Sequence, residues 1–234
     1  MKLIIIAAGQ GSRIRSVTDG IPKTLLKLKG KSLLDRVLEN AVTVGIQEAV
    51  VVTGYRSPDL ISYIGSHQFE INIETIYNPE WDQENGLSVL AAKPLIPDGE
   101  PFLISMSDHI YDAELLKHIF QSSLDNYDAL VGLDFRINNI FDIDDGMKVS
   151  VDNITNTKIV GMSKTLSEFD AIDCGVFKCK FNFFNALEAA NQSGKCSLAD
   201  GCNLLIAKNR MGGVDIGNSF WMDVDTPQAF KALV

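Results

Sequence analysis

The sequence predicts an α/β fold in which a mostly parallel sheet carries helices on both faces and a β-hairpin is appended to it. Short apolar runs typical of buried strands recur through the first half of the chain, and amphipathic segments with helical spacing separate them. After residue 138 the pattern changes to two short segments of alternating apolar and polar residues. The 234 residues contain no repeat, low-complexity segment or evident linker, so we expect a single domain over residues 1–234.

Turn and cap signals set the order of the elements in the first half of the chain. Ser32 is a favourable N-cap for the apolar stripe that follows it, and Gly45 is positioned to end that helix. The predicted elements are a strand at 3–6, a helix at 33–41, a strand at 49–53, a short helix from 58 and a strand at 71–76. Strands that alternate with helices pair in parallel, and ligands bind such sheets at the carboxyl ends of the strands.

The second half of the chain continues this alternation and then departs from it. A polar segment at 80–88 leads into a short helix, and Asp112 is placed to cap another helix. The predicted elements are helices at 89–93 and 113–124, strands at 102–106 and 128–133, a hairpin of 147–151 and 158–162 joined by a turn at 152–156, a strand at 171–177, and helices at 181–191, 198–209 and from 227. The hairpin is the expected antiparallel appendage.

Composition excludes several classes of function. The formal net charge of -9 argues against binding to nucleic acid or to an anionic membrane, because both need a positive face. No run reaches the roughly 18 apolar residues of a membrane span, and the apolar N-terminal stretch is too short for a signal peptide. The four cysteines lack Cys-x-x-Cys spacing, which favours reduced structural thiols over zinc ligands. We therefore expect a cytoplasmic protein with no nucleic-acid partner and no membrane segment.

The stretch from residue 7 to residue 23, directly after the first predicted strand, is the leading candidate for a binding site. Gly9 and Gly11 let the backbone approach a ligand closely and point amides at phosphate oxygens. Arg13, Arg15 and Lys23 add positive charge to this glycine loop in an otherwise acidic chain. An ordinary tight turn with solvated arginines would give the same pattern, so both interpretations stand at this point.

Two familiar phosphate-binding motifs are excluded in this region. The dinucleotide-binding fingerprint requires a third glycine where the chain has Ile14. Gly30-Lys31-Ser32 resembles the end of a P-loop, but Leu25 stands where the first glycine of that motif is required. Any phosphate site at the glycine loop is therefore of another kind.

Acidic residues follow a central strand and reappear near the C-terminus. Asp108 comes just after the fourth predicted strand, and Asp223 and Asp225 precede the last helix. Carboxylates so placed could converge on one Mg²⁺ that bridges the phosphates of a nucleotide. Asn85 and Gly86 stand before a predicted helix, where they could hydrogen-bond a base or a polyol, or merely form an Asn-Gly turn and helix cap.

Motifs spread along the whole chain share the pattern of one known family. They are Ala7-Ala8-Gly9-x-Gly11-Ser12-Arg13 with Pro22-Lys23, then Asp108, Lys164, Asp173-Cys174-Gly175 and Trp221-x-Asp223-Val224-Asp225-Thr226-Pro227. This set resembles the sugar-phosphate nucleotidyltransferases. The resemblance implies a Rossmann-like fold of the nucleotide-diphospho-sugar transferase kind. It also implies a reaction in which a phosphate monoester attacks the α-phosphorus of an NTP and releases pyrophosphate.

The resemblance implies a role for each matching position. The triphosphate would be held by Ala7, Ala8, Gly9, Gly11, Ser12, Arg13 and Lys23, and the catalytic residues would be Arg13, Lys23 and Asp108. A pyrimidine base would be contacted by Asn85, Gly86 and Ser88, and the acceptor would be bound by Lys164 and Asp173. Asp108 would bind Mg²⁺ together with a C-terminal aspartate. Alignment on Trp221 indicates Asp223, whereas the Asp-Thr pair of choline-phosphate cytidylyltransferases indicates Asp225, which we prefer.

Within this family, the chain is most similar to CTP:inositol-1-phosphate cytidylyltransferases. Ser107-Asp108-His109 and Gly161-Met162-Ser163-Lys164 depart from the forms usual in hexose-1-phosphate enzymes, and the chain has no left-handed β-helix repeat region. The implied substrates are CTP and a small phosphate monoester, namely inositol-1-phosphate, with phosphocholine or a hexose-1-phosphate as alternatives.

The same resemblance bears on partners and location. Enzymes of this group are often fused to a membrane-embedded CDP-alcohol transferase domain. The chain is then expected to be either a free-standing cytoplasmic enzyme or the soluble half of a fusion at the cytoplasmic face of a membrane. A different class is a catalytically silent subunit that senses nucleotides, which would be expected to lose the metal aspartate or the loop cations. Asp108, Arg13 and Lys23 are all present, which favours the enzyme.

Overall fold

The structure, a computed structural model, describes residues 1–152, 154–155 and 157–234. Over these residues the strands are β1 (Leu3–Ala7), β2 (Lys27–Leu28), β3 (Lys31–Ser32), β4 (Glu48–Thr53), β5 (Asn72–Tyr77), β6 (Phe102–Met106), β7 (His109–Tyr111), β8 (Ala129–Asp134), β9 (Lys148–Val151), β10 (Ile159–Ser163), β11 (Ala171–Cys179), β12 (Met211–Asp215) and β13 (Trp221–Asp223). The helices are α1 (Arg15–Thr18), α2 (Leu33–Thr43), α3 (Ser57–Ser66), α4 (Asn85–Ala92), α5 (Ala113–Gln121), α6 (Asn182–Gln192), α7 (Leu198–Ile206) and α8 (Pro227–Leu233). None of these described helices combines the length and apolarity needed to cross a lipid bilayer.

A nine-stranded mixed sheet forms the centre of the described structure. β6, β1, β4 and β5 pair in parallel in that order, so that Ile4 lies between Val50 and Ile104. β11 pairs antiparallel with β6, β8 and β9, and β12 pairs in parallel with β8. The predicted fold class is confirmed, and the carboxyl ends of β1, β4, β5 and β6 share one edge of the sheet.

Successive side chains of β1 point to opposite faces of the sheet, and helices cover both faces. Leu3 and Ile5 belong to a core to which α2, α3 and α5 contribute their apolar sides. Ile4 and Ile6 belong to a second core on the other face, shared with α4, α6 and α7. Burial of both faces explains why β1 is continuously apolar and does not alternate.

Helix α2 begins and ends where the sequence predicts. The Ser32 hydroxyl accepts a hydrogen bond from the Asp35 amide at 3.0 Å, and the Asp35 carboxylate accepts one from the Ser32 amide at 2.8 Å. This reciprocal pair is a capping box. Gly45 follows the helix with a φ of 88°, and its amide donates to the Val42 carbonyl at 3.0 Å, which ends the helix.

The predicted hairpin is present, but it forms one edge of the main sheet and is not a separate appendage. β9 and β10 pair antiparallel, and β9 pairs with β11 through Val149 opposite Ala171 and Lys148 opposite Ile172. The pairing satisfies backbone groups of β11 that would otherwise form an open edge. The turn predicted at 152–156 includes residues 153 and 156, which lie outside the described residues.

Two predictions near the edge of the sheet need correction. α4 begins at Asn85, so Asn85 and Gly86 form its first turn and do not precede it. Asp112 occupies the N-cap position of α5, but its carboxylate makes no hydrogen bond to that helix and instead accepts one from the Phe220 amide at 2.9 Å. Asp112 therefore holds the segment that leads into β13.

A small apolar cluster lies beneath the glycine loop. Its buried members are Ile14, Leu26, Leu28, Leu33, Ile110 and Val224. Ile14 belongs to the glycine loop, Ile110 to β7, and Val224 to the segment after β13. This loop cluster therefore packs distant parts of the chain together under one edge of the sheet.

Candidate active site

The glycine loop leaves the carboxyl end of β1 and packs against Lys23. Gly11 has a φ of 64°, which is left-handed, and a Cβ there would lie 2.8 Å from the Cβ of Lys23. A Cβ at Gly9, by contrast, would meet no atom of the described residues within 4 Å. Position 11 therefore needs glycine for the packing of the loop itself, whereas position 9 leaves backbone open to a ligand.

Lys23 is buried at the centre of a group of carboxylates. Its Nζ donates to Asp108 Oδ2 at 2.9 Å and to Asp225 Oδ1, and it lies 3.8 Å from Asp223 Oδ1. The residue is only 6% exposed, and a buried ammonium group stays charged where carboxylates compensate it. The structure thus brings together a cation of the glycine loop and the three aspartates considered as metal ligands from the sequence.

A short antiparallel ladder carries the C-terminal aspartates to the end of β6. His109 in β7 pairs with Asp223 in β13. Ligand atoms of Asp108, His109 and Asp223 all lie within 4.8 Å of one another. Asp223 Oδ1 is buried and has no hydrogen-bond partner among the described residues. An orphaned carboxylate oxygen beside a second carboxylate fits a hard divalent cation, which prefers oxygen ligands.

Asp225 faces cations instead. Its Oδ1 accepts from Lys23 Nζ and its Oδ2 accepts from Arg13 Nη2. Val224, which separates the two C-terminal aspartates, is fully buried in the loop cluster. Because alternate residues of an extended segment point the same way, the burial of Val224 turns both aspartates toward the site.

Burial and mutual repulsion shift the pKa values of the acidic groups here. The pKa of Asp223 is raised to about 7, mainly by burial and further by the charge of Asp108. Burial also raises the pKa of Asp173 to about 6, although the Gly175 amide donates to its carboxylate at 2.7 Å. For His109, burial acts to lower the pKa, but the surrounding carboxylates outweigh it and raise the pKa to about 9.

Asp145 connects Arg13 and Lys164, two cations to which the family resemblance assigns different substrates. Its Oδ1 accepts from Lys164 Nζ at 2.8 Å, and its Oδ2 accepts from Arg13 Nη1. Asp145 lies in the polar segment between β8 and β9, in a turn where its amide donates to the Asp142 carbonyl at 3.1 Å. No sequence pattern points to Asp145, because it stands among several aspartates in a segment without periodicity.

Two cavities open side by side at this edge of the sheet. The smaller, of about 270 Å³, is lined by residues of the glycine loop, namely Ala7, Gly9, Gly11, Ser12, Arg13 and Lys23. The larger, of about 900 Å³, is lined by Lys164, Asp173 and Asp145 among others. Arg13, Asp108 and Asp225 line both. The cations and carboxylates of the site thus lie between the two cavities.

The residues predicted to contact a base are only partly at these cavities. Asn85 lines both cavities, although its Oδ1 also accepts from the Leu198 amide at 2.8 Å, and Ser88 lines the smaller one. Gly86 is not among the described residues that line either cavity, because it packs against a carbonyl: a Cβ there would lie 2.4 Å from the Cys196 oxygen. Asn85 and Ser88 are thus better placed for a base than Gly86.

Ala8 is likewise turned away from the cavities that the described residues form. It is buried, and its carbonyl accepts from the Tyr55 amide at 2.8 Å. The same carbonyl lies 2.7 Å from where a Cβ at Gly54 would stand. Ala8 therefore fixes the start of the glycine loop against the end of β4.

A buried network fixes the far wall of the larger cavity. Asp134, at the end of β8, accepts from the Arg136 guanidinium at 2.8 and 2.9 Å and from Trp221 Nε1 at 2.8 Å. Arg136 also donates to the Ser219 carbonyl at 2.6 Å. Burial acts to raise the pKa of Asp134, but the hydrogen bonds from Arg136 and Trp221 outweigh it and lower the pKa. The network ties β13 to the main sheet.

The fold and this arrangement define a nucleotidyltransferase. A bound polyphosphate requires cations beside it. In transfer of a phosphoryl or nucleotidyl group, the protein contributes almost entirely by positioning the reactants and stabilising charge. Comparison with known families agrees: the family of MobA-like NTP transferase domains matches residues 3–136. The chain belongs to that family.

Sequence relatives extend over nearly the whole chain. A bifunctional IPC transferase and DIPP synthase of Aquifex aeolicus is 30% identical over 232 residues, which cover 96% of this chain and 49% of the relative. A protein of the same name from Rubrobacter xylanophilus is 29% identical over 229 residues, covering 97% of this chain and 50% of the relative. The chain thus spans about half the length of the curated relatives it matches.

A solved structure shares the fold. The inositol-1-phosphate CTP transferase from T. maritima superposes with a TM-score of 0.87 at 23% sequence identity, covering 97% of this chain and 90% of that one. The resemblance drawn from the sequence motifs, to sugar-phosphate nucleotidyltransferases and within them to the inositol-1-phosphate enzymes, is confirmed by these relatives.

Proposed function

We propose that the chain is a Mg²⁺-dependent cytidylyltransferase that converts CTP and inositol-1-phosphate to CDP-inositol and pyrophosphate. The observation that carries the proposal is the meeting of Arg13 and Lys23 with Asp108 and Asp223 between two cavities, the larger of which holds Lys164. The names of the relatives support the choice of CTP and inositol-1-phosphate.

Asp108 and Asp223 are the residues that would hold the metal. Asp223 has the orphaned buried oxygen, whereas both oxygens of Asp225 already accept from Lys23 and Arg13. These contacts favour Asp223 over the Asp225 that we preferred from sequence. When bound, Mg²⁺ supplies charge neutralisation on the triphosphate, which this acidic site could not otherwise accept.

The side chains of the chain would act by binding and orientation. Backbone amides near Gly9 and the cations Arg13 and Lys23 would hold the triphosphate and stabilise the charge that develops on the α-phosphoryl group. Lys164 would hold the acceptor's phosphate on the opposite side for in-line attack. Such attack forms a bond from an acceptor phosphate oxygen to the α-phosphorus, while the bond to the bridging oxygen of the β-phosphate breaks and pyrophosphate leaves. An ionised phosphate needs no general base.

The larger cavity suits a polyol. Carboxylates accept hydrogen bonds from hydroxyl groups, and Asp142, Asp145 and Asp173 are among its lining residues. A second acceptor has a specific observation in its favour: Phe141, Phe220 and Trp221 also line the cavity. Aromatic faces beside carboxylates are typical of sites for quaternary ammonium groups, which makes phosphocholine the alternative acceptor.

The acceptor is identified by measuring pyrophosphate release for each pairing of four NTPs with a panel of phosphate esters. We expect CTP with inositol-1-phosphate to give the highest kcat/KM, and chelation of divalent cations to abolish turnover. Turnover with phosphocholine or a hexose-1-phosphate as the best acceptor would reject inositol-1-phosphate as the substrate but would support nucleotidyl transfer as the reaction. Absence of turnover with every pair would reject the proposed function.

A further inference from the structure

Asp145 occupies a distinctive place between the two cavities. Its two carboxylate oxygens are divided between Arg13, which lines both cavities, and Lys164, which lines the larger one. The hydrogen bonds from Lys164 and Arg13 outweigh the effect of burial and lower the pKa of Asp145, so the group at this position is an anion. An internal anion thus lies between a nucleotide-side cation and an acceptor-side cation.

An attacking phosphate monoester needs that same position. In-line attack requires the acceptor's phosphate to lie beside the α-phosphate, between the cation that holds each of them. A carboxylate presents two oxygens to two cations, as a phosphate does, but carries less charge than the roughly −1.5 to −2 of a phosphate monoester near pH 7. A phosphate monoester can therefore displace the Asp145 carboxylate, whereas a singly charged anion competes with it on even terms.

We propose that Asp145 is an internal competitor for the acceptor: its carboxylate holds the acceptor-phosphate position in the substrate-free protein, and the more highly charged phosphate of a monoester displaces it. The same competition favours release of product. Transfer turns the acceptor's phosphate into part of a diphosphate bridge, where it carries one negative charge, and the Asp145 carboxylate can then return to Lys164 and Arg13.

The surroundings of Asp145 allow this exchange at small cost. Its side chain is 36% exposed, and those of Arg13 and Lys164 are about half exposed, so each ion pair is weak. Lys148 Nζ donates to the Lys164 carbonyl at 2.8 Å and lies 3.4 Å from the Asp144 carbonyl. These contacts hold the backbone of the two segments together while the Asp145 side chain rotates away.

The test compares Asp145→Asn with Asp144→Asn, which removes the same charge from the neighbouring exposed position. Calorimetry on the nucleotide-free protein measures binding of inorganic phosphate, methyl phosphate and dimethyl phosphate, the last of which carries a single charge. We expect Asp145→Asn to bind methyl phosphate about fivefold more tightly than wild type, the value of two exposed ion pairs. Dimethyl phosphate displaces the same carboxylate and should gain by about the same factor, and the monoester should stay the tighter ligand in both proteins because it carries the greater charge.

The matched variant separates a specific effect from a general one. Asp144→Asn should bind all three anions as wild type does. Equal gains in both variants would show only a change in net charge and would overturn the proposal. The proposal would also be overturned if Asp145→Asn had an unchanged melting temperature and bound phosphate as wild type does or more weakly. If both variants fold normally, a lowered acceptor KM together with a lowered kcat in Asp145→Asn would further support it, since product would be released more slowly.

This inference rests on the proposed function in taking Lys164 as the acceptor-phosphate residue and Arg13 as the cation beside the nucleotide. The binding measurements require no turnover. Tighter phosphate binding by Asp145→Asn in a protein that turned over no pair of substrates would support the inference and reject the function. Normal turnover of CTP and inositol-1-phosphate, with phosphate binding unaffected by Asp145→Asn, would support the proposed function and reject the inference.

Discussion

Gly9 and Gly11 stand two positions apart, yet their surroundings give them different tasks. A Cβ at Gly11 would meet Lys23, and a φ of 64° costs a residue such as alanine about 1–2 kcal/mol. Gly11→Ala is therefore expected to lower the free energy of unfolding by at least that amount and to displace Lys23. Gly9→Ala should leave stability unchanged but weaken nucleotide binding, because the space it fills is the side open to the phosphates.

Urea unfolding and nucleotide titration of both variants check this difference. The two variants should differ in which quantity changes. The free energy of unfolding should fall in Gly11→Ala, whereas nucleotide affinity should fall in Gly9→Ala with the free energy of unfolding unchanged. If Gly9→Ala bound CTP as wild type does, the open backbone at position 9 would not face a phosphate.

At the scale of single residues, the sequence predicts those site residues that belong to a contiguous motif or directly follow a strand. Gly9, Arg13 and Lys23 are readable because the glycine loop directly follows β1, and Asp108 because it follows β6. Asp145 is not readable, since its partners Arg13 and Lys164 are distant in sequence and meet only through the fold. The same holds for Gly86, whose tight contact with the Cys196 carbonyl depends on the packing of α4 against the segment before α7.

At the scale of elements, β11 carries an irregularity that shapes the site. Its pairing with β8 shifts register between Asp173 and Phe177. Gly175 lies in this interval with a φ of 75°, and a Cβ there would stand 2.7 Å from His109 Cδ2. Such bulges re-aim neighbouring side chains. Here the bulge sets Asp173 in the wall of the larger cavity and lets the His109 ring pack closely.

Gly175→Ala is accordingly expected to be costly. Left-handed strain and overpacking against His109 should together lower the free energy of unfolding by about 2 kcal/mol or more. Gly194→Ala is the matched control, because Gly194 has a φ of 82° but no atom of the described residues within 4 Å of its would-be Cβ. The excess loss in Gly175→Ala over Gly194→Ala, measured by urea unfolding, reports the His109 contact. Equal losses of unfolding free energy in the two variants would mean that the His109 ring moves aside without cost.

Short elements account for most of what the sequence could not predict about the fold. β7 and β13 have three residues each, too few for a period to be recognised, and they form because they pair with one another. β12 contains Gly212 and Gly213, which weaken any strand signal but allow close packing against β8. The long apolar strands β1, β4 and β6, in contrast, are recognisable because burial on both faces leaves continuous apolar runs.

For the whole molecule, three partly buried groups make the free energy of unfolding depend on pH in one direction. The pKa values of Asp173, Asp223 and His109 are about 6, 7 and 9, each above the ordinary value of the group. The folded chain therefore binds these protons more tightly than the unfolded chain, and stability falls as pH rises. The loss extends from about pH 4 to 7 for the aspartates and from about pH 6.5 to 9 for His109.

We expect the free energy of unfolding of the metal-free protein to decrease between about pH 5 and pH 9, measured by urea titration with a chelator present. Asp134 and Asp145, whose pKa values are lowered, act in the opposite sense, but only at more acidic pH. Added Mg²⁺ should reduce the decrease, because a bound cation favours the ionised form of Asp223. A constant or rising free energy of unfolding over this range would contradict the assigned shifts.

The loop cluster beneath the site has a consequence for protein synthesis. Ile14 and Leu26 emerge from the ribosome early, whereas Val224, on which they pack, emerges among the last residues described here. Until then Lys23 has Asp108 beside it but neither Asp223 nor Asp225, and the ladder between β7 and β13 has only one strand. The parallel sheet of a nascent chain can therefore fold well before the group of carboxylates around Lys23 is complete.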